Sequence, residues 1–177
     1  MSTHKDNRLR ILHVIAGMNR GGAETFVMNV FRTIDRNKFQ FYFLCFSDKH
    51  FDYEDEIKQL GGEIIRIPDV KKIGIVSHIK AIKSVIEDNS IDIVHAHTYY
   101  NSAFSLIAAK KAGVSTRIVH SHNTMSEVNP SLVKKVYFAL SKLTIRHYAT
   151  KRIACAKEAG YALFGRGNNF IVINNGI

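Results

Sequence analysis

Three short stretches of this sequence combine residue types and spacings that could do chemistry. After the apolar run Ile11-Leu12-His13-Val14-Ile15-Ala16 comes Gly17-Met18-Asn19-Arg20-Gly21-Gly22-Ala23-Glu24, and then a helical pattern. Glycine lets the backbone approach a ligand closely, and a helix opening near Gly22 aims unpaired N–H groups and a positive dipole end into the same space. Such a turn suits a phosphate-bearing or hydroxyl-rich ligand. The other two stretches are His95-Ala96-His97-Thr98 and His120-Ser121-His122-Asn123. Residues i and i+2 of an extended segment share a face, so each H-x-H pair presents two imidazoles together. A neutral imidazole can hydrogen-bond a sugar hydroxyl, orient a reacting group or ligate a metal.

The glycine spacing, G-x-x-x-G-G, matches neither the dinucleotide fingerprint G-x-G-x-x-G nor the P-loop with its terminal Gly-Lys-Ser/Thr, so neither cofactor is read from it. The plain alternative is that Gly21-Gly22 only permit a tight strand-to-helix turn. For the histidines the plain alternative is a satisfied core role. His95 and His120, deeper in their strands, are assigned there, and His97 and His122, one step further out, are the site candidates because strand-end loops carry function. A metal is set aside, since four suitable ligands are not evident and no cysteine cluster joins the histidines. Cys45 and Cys155 each lie in an apolar run and read as buried, reduced thiols of a cytosolic protein.

The elements that must position these residues follow from the apolar periodicity. Strands are predicted at 11–16, 39–46, 64–67, 91–96, 117–120, 152–156 and 170–173. Between them lie a first helix from Gly22 with Phe26, Val27, Val30, Phe31 and Ile34 on one side, and a short helix at 52–60. Further helices fall at 75–88 with Ile75, Ile79, Ile82 and Ile86 inward, at 101–112, from near Ser131 onward, and at 157–164. Near-continuous apolar strands alternating with helices imply an α/β, Rossmann-like three-layer αβα domain with a mostly parallel sheet. Ligands of such a sheet sit beyond the carboxyl ends of its strands, where all three chemical stretches fall.

With 177 residues the chain fits one domain, able to bury about 70% of the surface its unfolded form exposes. The polar stretch Met1 to Arg8 and the short, histidine-containing apolar run after it do not read as a signal peptide, and no apolar run approaches bilayer-spanning length. The formal net charge of +10 favours anionic partners without choosing among them. One basic concentration stands out: Lys134, Lys135, Lys142, Arg146, His147, Lys151 and Arg152, interleaved with Leu132, Val133, Val136, Tyr137, Leu140 and Leu143. This is an amphipathic basic helix, either a core-facing helix with a solvated cationic side or a peripheral contact with an anionic membrane through Lys134, Lys135, Lys142 and Arg146. Nucleic acid is not expected, because no binding motif accompanies the charge.

The ordered set Gly21-Gly22-Ala23-Glu24, Asp92 to His97, Arg117 to Asn123, Ala154 to Gly160 and Val172-Ile173-Asn174-Asn175-Gly176-Ile177 resembles the N-terminal half of family 4 glycosyltransferases, nearest in look to bacterial capsular and exopolysaccharide enzymes. The resemblance implies a GT-B enzyme with two Rossmann-like domains facing across a cleft, of which this chain is the acceptor-side one. Residues 1–9 are then a polar tail, 10–173 the domain, and 174–177 the start of a linker to a donor domain beyond this chain. By the same resemblance Gly21 and Gly22 form the loop that approaches the donor diphosphate and the acceptor, with Glu24 beside it. His122 holds the place of the catalytic histidine near the reacting sugar, and His97, Thr98 and Asn123 line the acceptor side. Asn174 stands where the family usually has proline, a departure that concerns the hinge.

The implied activity is a retaining transfer, of hexosyltransferase type, from a nucleotide sugar to a lipid-linked or saccharide acceptor in surface polysaccharide biosynthesis. It would take place in the cytoplasm, peripherally at the inner face of the membrane. The nucleotide sugar is a substrate, and no cofactor or metal is expected, because backbone N–H groups and cations of the other domain would neutralise the leaving diphosphate. The chain by itself is expected to be inactive. The rivals are a non-catalytic carbohydrate-binding or membrane-recruited assembly subunit, and a Rossmann nucleotide-cofactor enzyme, which should show the glycine spacing this chain lacks.

Overall fold

Seven parallel strands form one sheet in the computed structural model, which describes residues 7–123 and 129–175. In chain order the elements are β1 (Leu9–Val14), α1 (Gly22–Thr33), β2 (Phe39–Cys45), α2 (Glu54–Gln59), β3 (Glu63–Arg66), α3 (Val70–Asp88) and β4 (Ile93–Ala96). A 3-10 turn (Tyr99–Asn101) follows, then α4 (Ser102–Lys111), β5 (Thr116–Ser121), α5 (Leu132–Tyr148), β6 (Lys151–Ala154), α6 (Lys157–Phe164) and β7 (Ile171–Val172). The strand order is β3-β2-β1-β4-β5-β6-β7, so the chain winds outward in one direction as far as β3 and then in the other from β4. The switch lies between β1 and β4, the position in such a sheet at which ligands bind beyond the carboxyl edge.

Alternation along the strands sorts side chains into two cores. Leu12, Val14, Tyr42, Leu44, Val94 and Ala96 face one way and pack with Ile82, Ile86, Phe104 and Ala108 of α3 and α4. Val119 and Ala154 continue that face against Ile145 of α5 and Leu163 of α6. On the opposite face Ile15, Phe41, Phe43 and Cys45 pack with Val27, Met28 and Phe31 of α1 and Ile57 of α2. Three layers result, as the sequence predicts. Two helices open on side-chain caps: Asp69 accepts from the Lys71 amide and Ser131 from the Lys134 amide. No described helix is long and apolar enough to cross a membrane.

Two sequence expectations are corrected. Ile75 does not face inward but is 51% exposed, because Gly74 at φ 77° breaks α3 near its start and turns that stretch away from the sheet. On α5, Leu132, Val133, Val136, Leu140 and Leu143 are all exposed, from 52% to 79%, and the helix instead seats Ser141 and Ile145. Of the expected apolar set only Tyr137 packs against the core, and the other five residues lie on the outer side of α5 beside its cations. Of the expected tail and linker, residues 1–6, Gly176 and Ile177 lie outside the described residues.

Candidate functional site

Because β1, β4 and β5 are adjacent and parallel, the segments that follow them emerge side by side. After β1 the chain turns through Gly17 to Gly21. A Cβ on Gly17 would come within 2.7 Å of the buried Phe51 ring, so any side chain there would have to displace that ring. The turn is tied to the loop before α2, since Asp52 accepts from the Arg20 amide at 3.1 Å and the Tyr53 amide donates to the Met18 carbonyl at 3.0 Å. Gly21 is the N-cap of α1 and carries no side-chain cap. The Glu24 carboxylate folds back over it, into space that any Cβ at 21 would contest. Partial burial raises the Glu24 pKa, an effect its backbone hydrogen bond only partly opposes. The helix N-terminus is thus shared between its own glutamate and the open rim.

Beneath this rim lie five imidazoles rather than two pairs. His13 of β1 is laterally paired with His95 of β4, and both face the α1 side of the sheet together with His97, His120 and His122. Ring centroids are 4.2 Å apart for His95 and His97, 3.9 Å for His120 and His122, and 5.6 Å for His95 and His120, whose planes are nearly parallel. Phe26 of α1 caps the group, edge-on to His120 at 5.0 Å and tilted over His122 at 6.1 Å. Two hydrogen bonds run through it: His13 Nδ1 to His97 Nε2 at 3.2 Å, and His97 Nδ1 to His122 Nε2 at 2.9 Å. In each link one ring nitrogen donates and the other accepts, so the tautomers of the three rings are coupled.

Burial makes all five rings hard to protonate. It lowers His13 to about 3 and His120 to about 2, with neighbouring imidazoles adding to the effect. His95 and His97 are lowered well below 6.5 for the same two reasons. His122 is lowered to about 4 by burial, with the Asn175 side chain beside it acting in the opposite direction. The cluster is therefore a set of neutral rings at physiological pH, in which the His13-His97-His122 chain commits two of its three ring lone pairs to its own hydrogen bonds.

The expected site residues take the following places. Gly21, Glu24, Thr98 and His122 are partly buried, while Gly22 and Asn123 are exposed. His97 is set further in than its sequence position suggests: it is only 9% exposed, and both ring nitrogens are engaged by His13 and His122. Thr98 Oγ1 lies 3.4 Å from Ser102 Oγ. His95 and His120 are buried, as expected. The cations of α5 are not part of this group. Lys134, Lys135 and Arg146 are exposed, and the Lys142 ammonium sits 5.9 Å from the centre of the Tyr100 ring, not out toward a surface partner. Neither cysteine is disulfide-bonded; Cys45 is buried and Cys155 half-buried, with its Sγ donating to the His122 carbonyl at 3.5 Å.

Three members of the site were not singled out from the sequence. His13 becomes one only because β1 lies against β4, a fact of strand order. Asn175, beyond β7, reaches back to the α1 side and lines a groove of about 350 Å³ with Phe26, Asn29, Val30, Thr33 and Asn174. Tyr99, next to Thr98, holds a left-handed backbone at φ 53° and a buried hydroxyl without a hydrogen-bond partner. For a bulky residue that conformation is costly, and it falls at the rim.

The Glycosyltransferase Family 4 pattern matches residues 20–177. EpsF of Bacillus subtilis (strain 168), described as a glycosyltransferase, is 38% identical over 160 residues, which cover 90% of this chain and 42% of that protein. The capsular polysaccharide biosynthesis glycosyltransferase CapH of Staphylococcus aureus is 28% identical over 144 residues, 81% of this chain and 39% of its own length. The crystal structure of HepE from Anabaena in complex with UDP and glucose superposes with a TM-score of 0.68 at 16% identity, over 96% of this chain and 45% of that one. At that identity the likeness speaks for the fold. The chain spans about two-fifths of the length of the curated relatives it matches.

Proposed function

The chain belongs to Glycosyltransferase Family 4, and from that membership we propose that it forms the acceptor-side half of an enzyme that moves a sugar from a nucleotide-sugar donor to a lipid-linked or saccharide acceptor during surface polysaccharide assembly. The reaction proposed retains the anomeric configuration and is of hexosyltransferase type. The observation that carries the reading is the adjacency of β1, β4 and β5, which gathers the Gly21-Gly22 turn, Thr98 and the His122-Asn123 step along one carboxyl edge. In this reading the amides opening α1 and the glycine turn meet the donor diphosphate, and Thr98 and Asn123 offer hydrogen bonds to acceptor hydroxyls. His122 is the proposed catalytic residue. Being neutral, it can accept a hydroxyl proton, and His97 behind it fixes its tautomer through the 2.9 Å bond. His97 then acts on the acceptor through His122. The polysaccharide context rests on the printed description of CapH, and the donor-binding half is assigned to the part of the relatives that this chain does not span.

The test is a panel of nucleotide sugars offered to the full-length protein, with release of free nucleotide as the readout. Turnover of one donor that rises when a lipid-linked or saccharide acceptor is added is the expected result. A protein that releases nucleotide from no donor, or that instead oxidises or reduces a substrate with a nicotinamide cofactor, contradicts the reading.

A second part of the proposal concerns α5. Its outward stripe of Leu132, Val133, Val136, Leu140 and Leu143, flanked by Lys134, Lys135 and Arg146, supports peripheral contact with an anionic membrane from the cytoplasmic side. Such a contact would bring the acceptor rim to lipid-linked substrates.

A further inference from the structure

We propose that Glu54 and Arg66 are a positioning pair: from the outer edge of the sheet they hold the glycine turn at residues 17–21 in place, and thereby set how tightly the enzyme takes its donor. The functional half of this rests on the proposed meeting of that turn with the donor diphosphate. Glu54 opens α2, and only 6% of its side chain is exposed. Arg66 Nη2, on β3, donates to Glu54 Oε2 at 2.5 Å, and Lys58 Nζ donates to Oε1 at 2.8 Å. The Phe51 amide donates to Oε2 as well, at 3.4 Å. The Arg66 guanidinium also stands 5.5 Å from the centre of the Phe51 ring. The pair therefore grips Phe51 twice, at its amide and at its ring.

The glycine turn leans on the segment so gripped. Phe51 fills the space beside Gly17. Asp52 accepts from the Arg20 amide at 3.1 Å, and its own amide donates to Asn19 Oδ1 at 3.4 Å. The Tyr53 amide donates to the Met18 carbonyl at 3.0 Å. Four consecutive residues of the turn thus rest on three consecutive residues that end at Glu54. Any displacement of Glu54 passes directly to the turn, although β2 and β1 separate β3 from the centre of the site.

A charged pair is a poor choice if stability alone is at stake. Taking a carboxylate and a guanidinium out of water offsets most of what their attraction returns, and apolar residues of similar size often hold a fold as well. Arg66 Nε is even buried without a hydrogen-bond partner. What apolar side chains do not supply is direction: charge-assisted N–H···O contacts fix where the Phe51 amide and ring stand. A backbone loop that meets a diphosphate needs that precision, since a misplacement of about 1 Å by a change far from the chemistry can cost about 100-fold. Glu54 and Arg66 reach the site only through residues 51–53, so they act by positioning.

The test takes two measurements on the full-length protein. Amide hydrogen exchange over residues 17–22 needs no substrate. Glu54→Leu and Arg66→Met should each speed exchange there and leave β4 and β5 as they are. In steady-state kinetics the same variants should raise the donor KM and lower the donor kcat/KM by about 10- to 100-fold, with the acceptor KM unchanged. Glu54→Gln, which keeps an acceptor oxygen, should fall between them and the unaltered protein. Lys83→Gln, which breaks an exposed ion pair on α3, should change neither measurement. A pair that only stabilised the fold would lower kcat with the fraction of folded enzyme and leave the donor KM where it was. If the single variants do not fold, Glu54→Leu with Arg66→Met, which removes both charges together, takes their place. Exchange at the turn equal to that of the unaltered protein, or raised equally throughout the sheet, would overturn the positioning role. Faster exchange at the turn with an unchanged donor KM would overturn its link to the donor. An unaltered protein that turns over no donor contradicts the proposed function instead, and the exchange comparison still decides whether the pair orders the turn.

Discussion

Each of the five clustered histidines would titrate near 6.5 in an unfolded chain but is held neutral in the folded one, by burial first and by the neighbouring rings second. Between the two pKa values the unfolded chain carries the extra proton, so stability is complete above about pH 6.5 and falls as the pH drops below it. The loss continues until the folded values are reached, about 4 for His122, 3 for His13 and 2 for His120. The slope is at most about 1.4 kcal/mol per histidine per pH unit. Urea unfolding should therefore give a midpoint at pH 5 well below that at pH 7.5, and a flat profile over that interval would mean that the rings are not buried and neutral. A second residue-scale prediction concerns Gly160, where an added Cβ would strike the Phe170 ring. Gly160→Ala should cost about 1–3 kcal/mol, whereas at Gly21 the obstacle is the mobile end of Glu24 and Gly21→Ala should cost less. At this scale the sequence shows that His97 and His122 stand at strand ends, but not that His13 joins them. An H-x-H pair is visible to a reader of one strand, and a ring contributed from the neighbouring strand is not.

For the elements, periodicity and caps locate almost everything. The helix expected at 157–164 is α6, Lys157–Phe164, and Ser131 caps α5 where the apolar pattern begins. The pattern fails where backbone geometry intervenes, as at Gly74, and where two apolar stripes compete for one core. On α5 the longer stripe, Leu132 to Leu143, stays outside, while the shorter face of Tyr137, Phe138, Ser141 and Ile145 meets α4, α6 and the 3-10 turn. This gives a clean contrast. Ile145→Ala should destabilise by about 2–5 kcal/mol as a buried deletion, and Val133→Asp with Leu140→Asp should leave stability within about 0.5 kcal/mol per site. The same exposed pair should abolish the salt-sensitive cosedimentation with anionic phospholipid vesicles expected of the unaltered chain. Equal binding to neutral vesicles, or binding untouched by the two aspartates, would remove α5 from any membrane role.

Across the whole molecule, one fact of winding positions the site: β1 and β4 meet at the switch in strand order, and β5 lies next to β4. Alternating apolar strands and helices in the sequence imply a parallel sheet, and hence that all strand ends share an edge. They do not imply which ends are neighbours, and this is why the five-ring cluster and the return of Asn175 toward α1 become visible only in three dimensions. We propose this shared edge as the acceptor half of a sugar-transfer crevice, with His122 at the reacting sugar. The most direct measurement is turnover of the full-length protein carrying His122→Ala, beside Lys135→Ala on α5 as a distant control, with urea midpoints taken for both. A fall of about 100-fold or more in turnover for His122→Ala, at a midpoint near that of the unaltered protein and with Lys135→Ala fully active when the acceptor is soluble, is the predicted result. Undiminished turnover in a folded His122→Ala protein would contradict it.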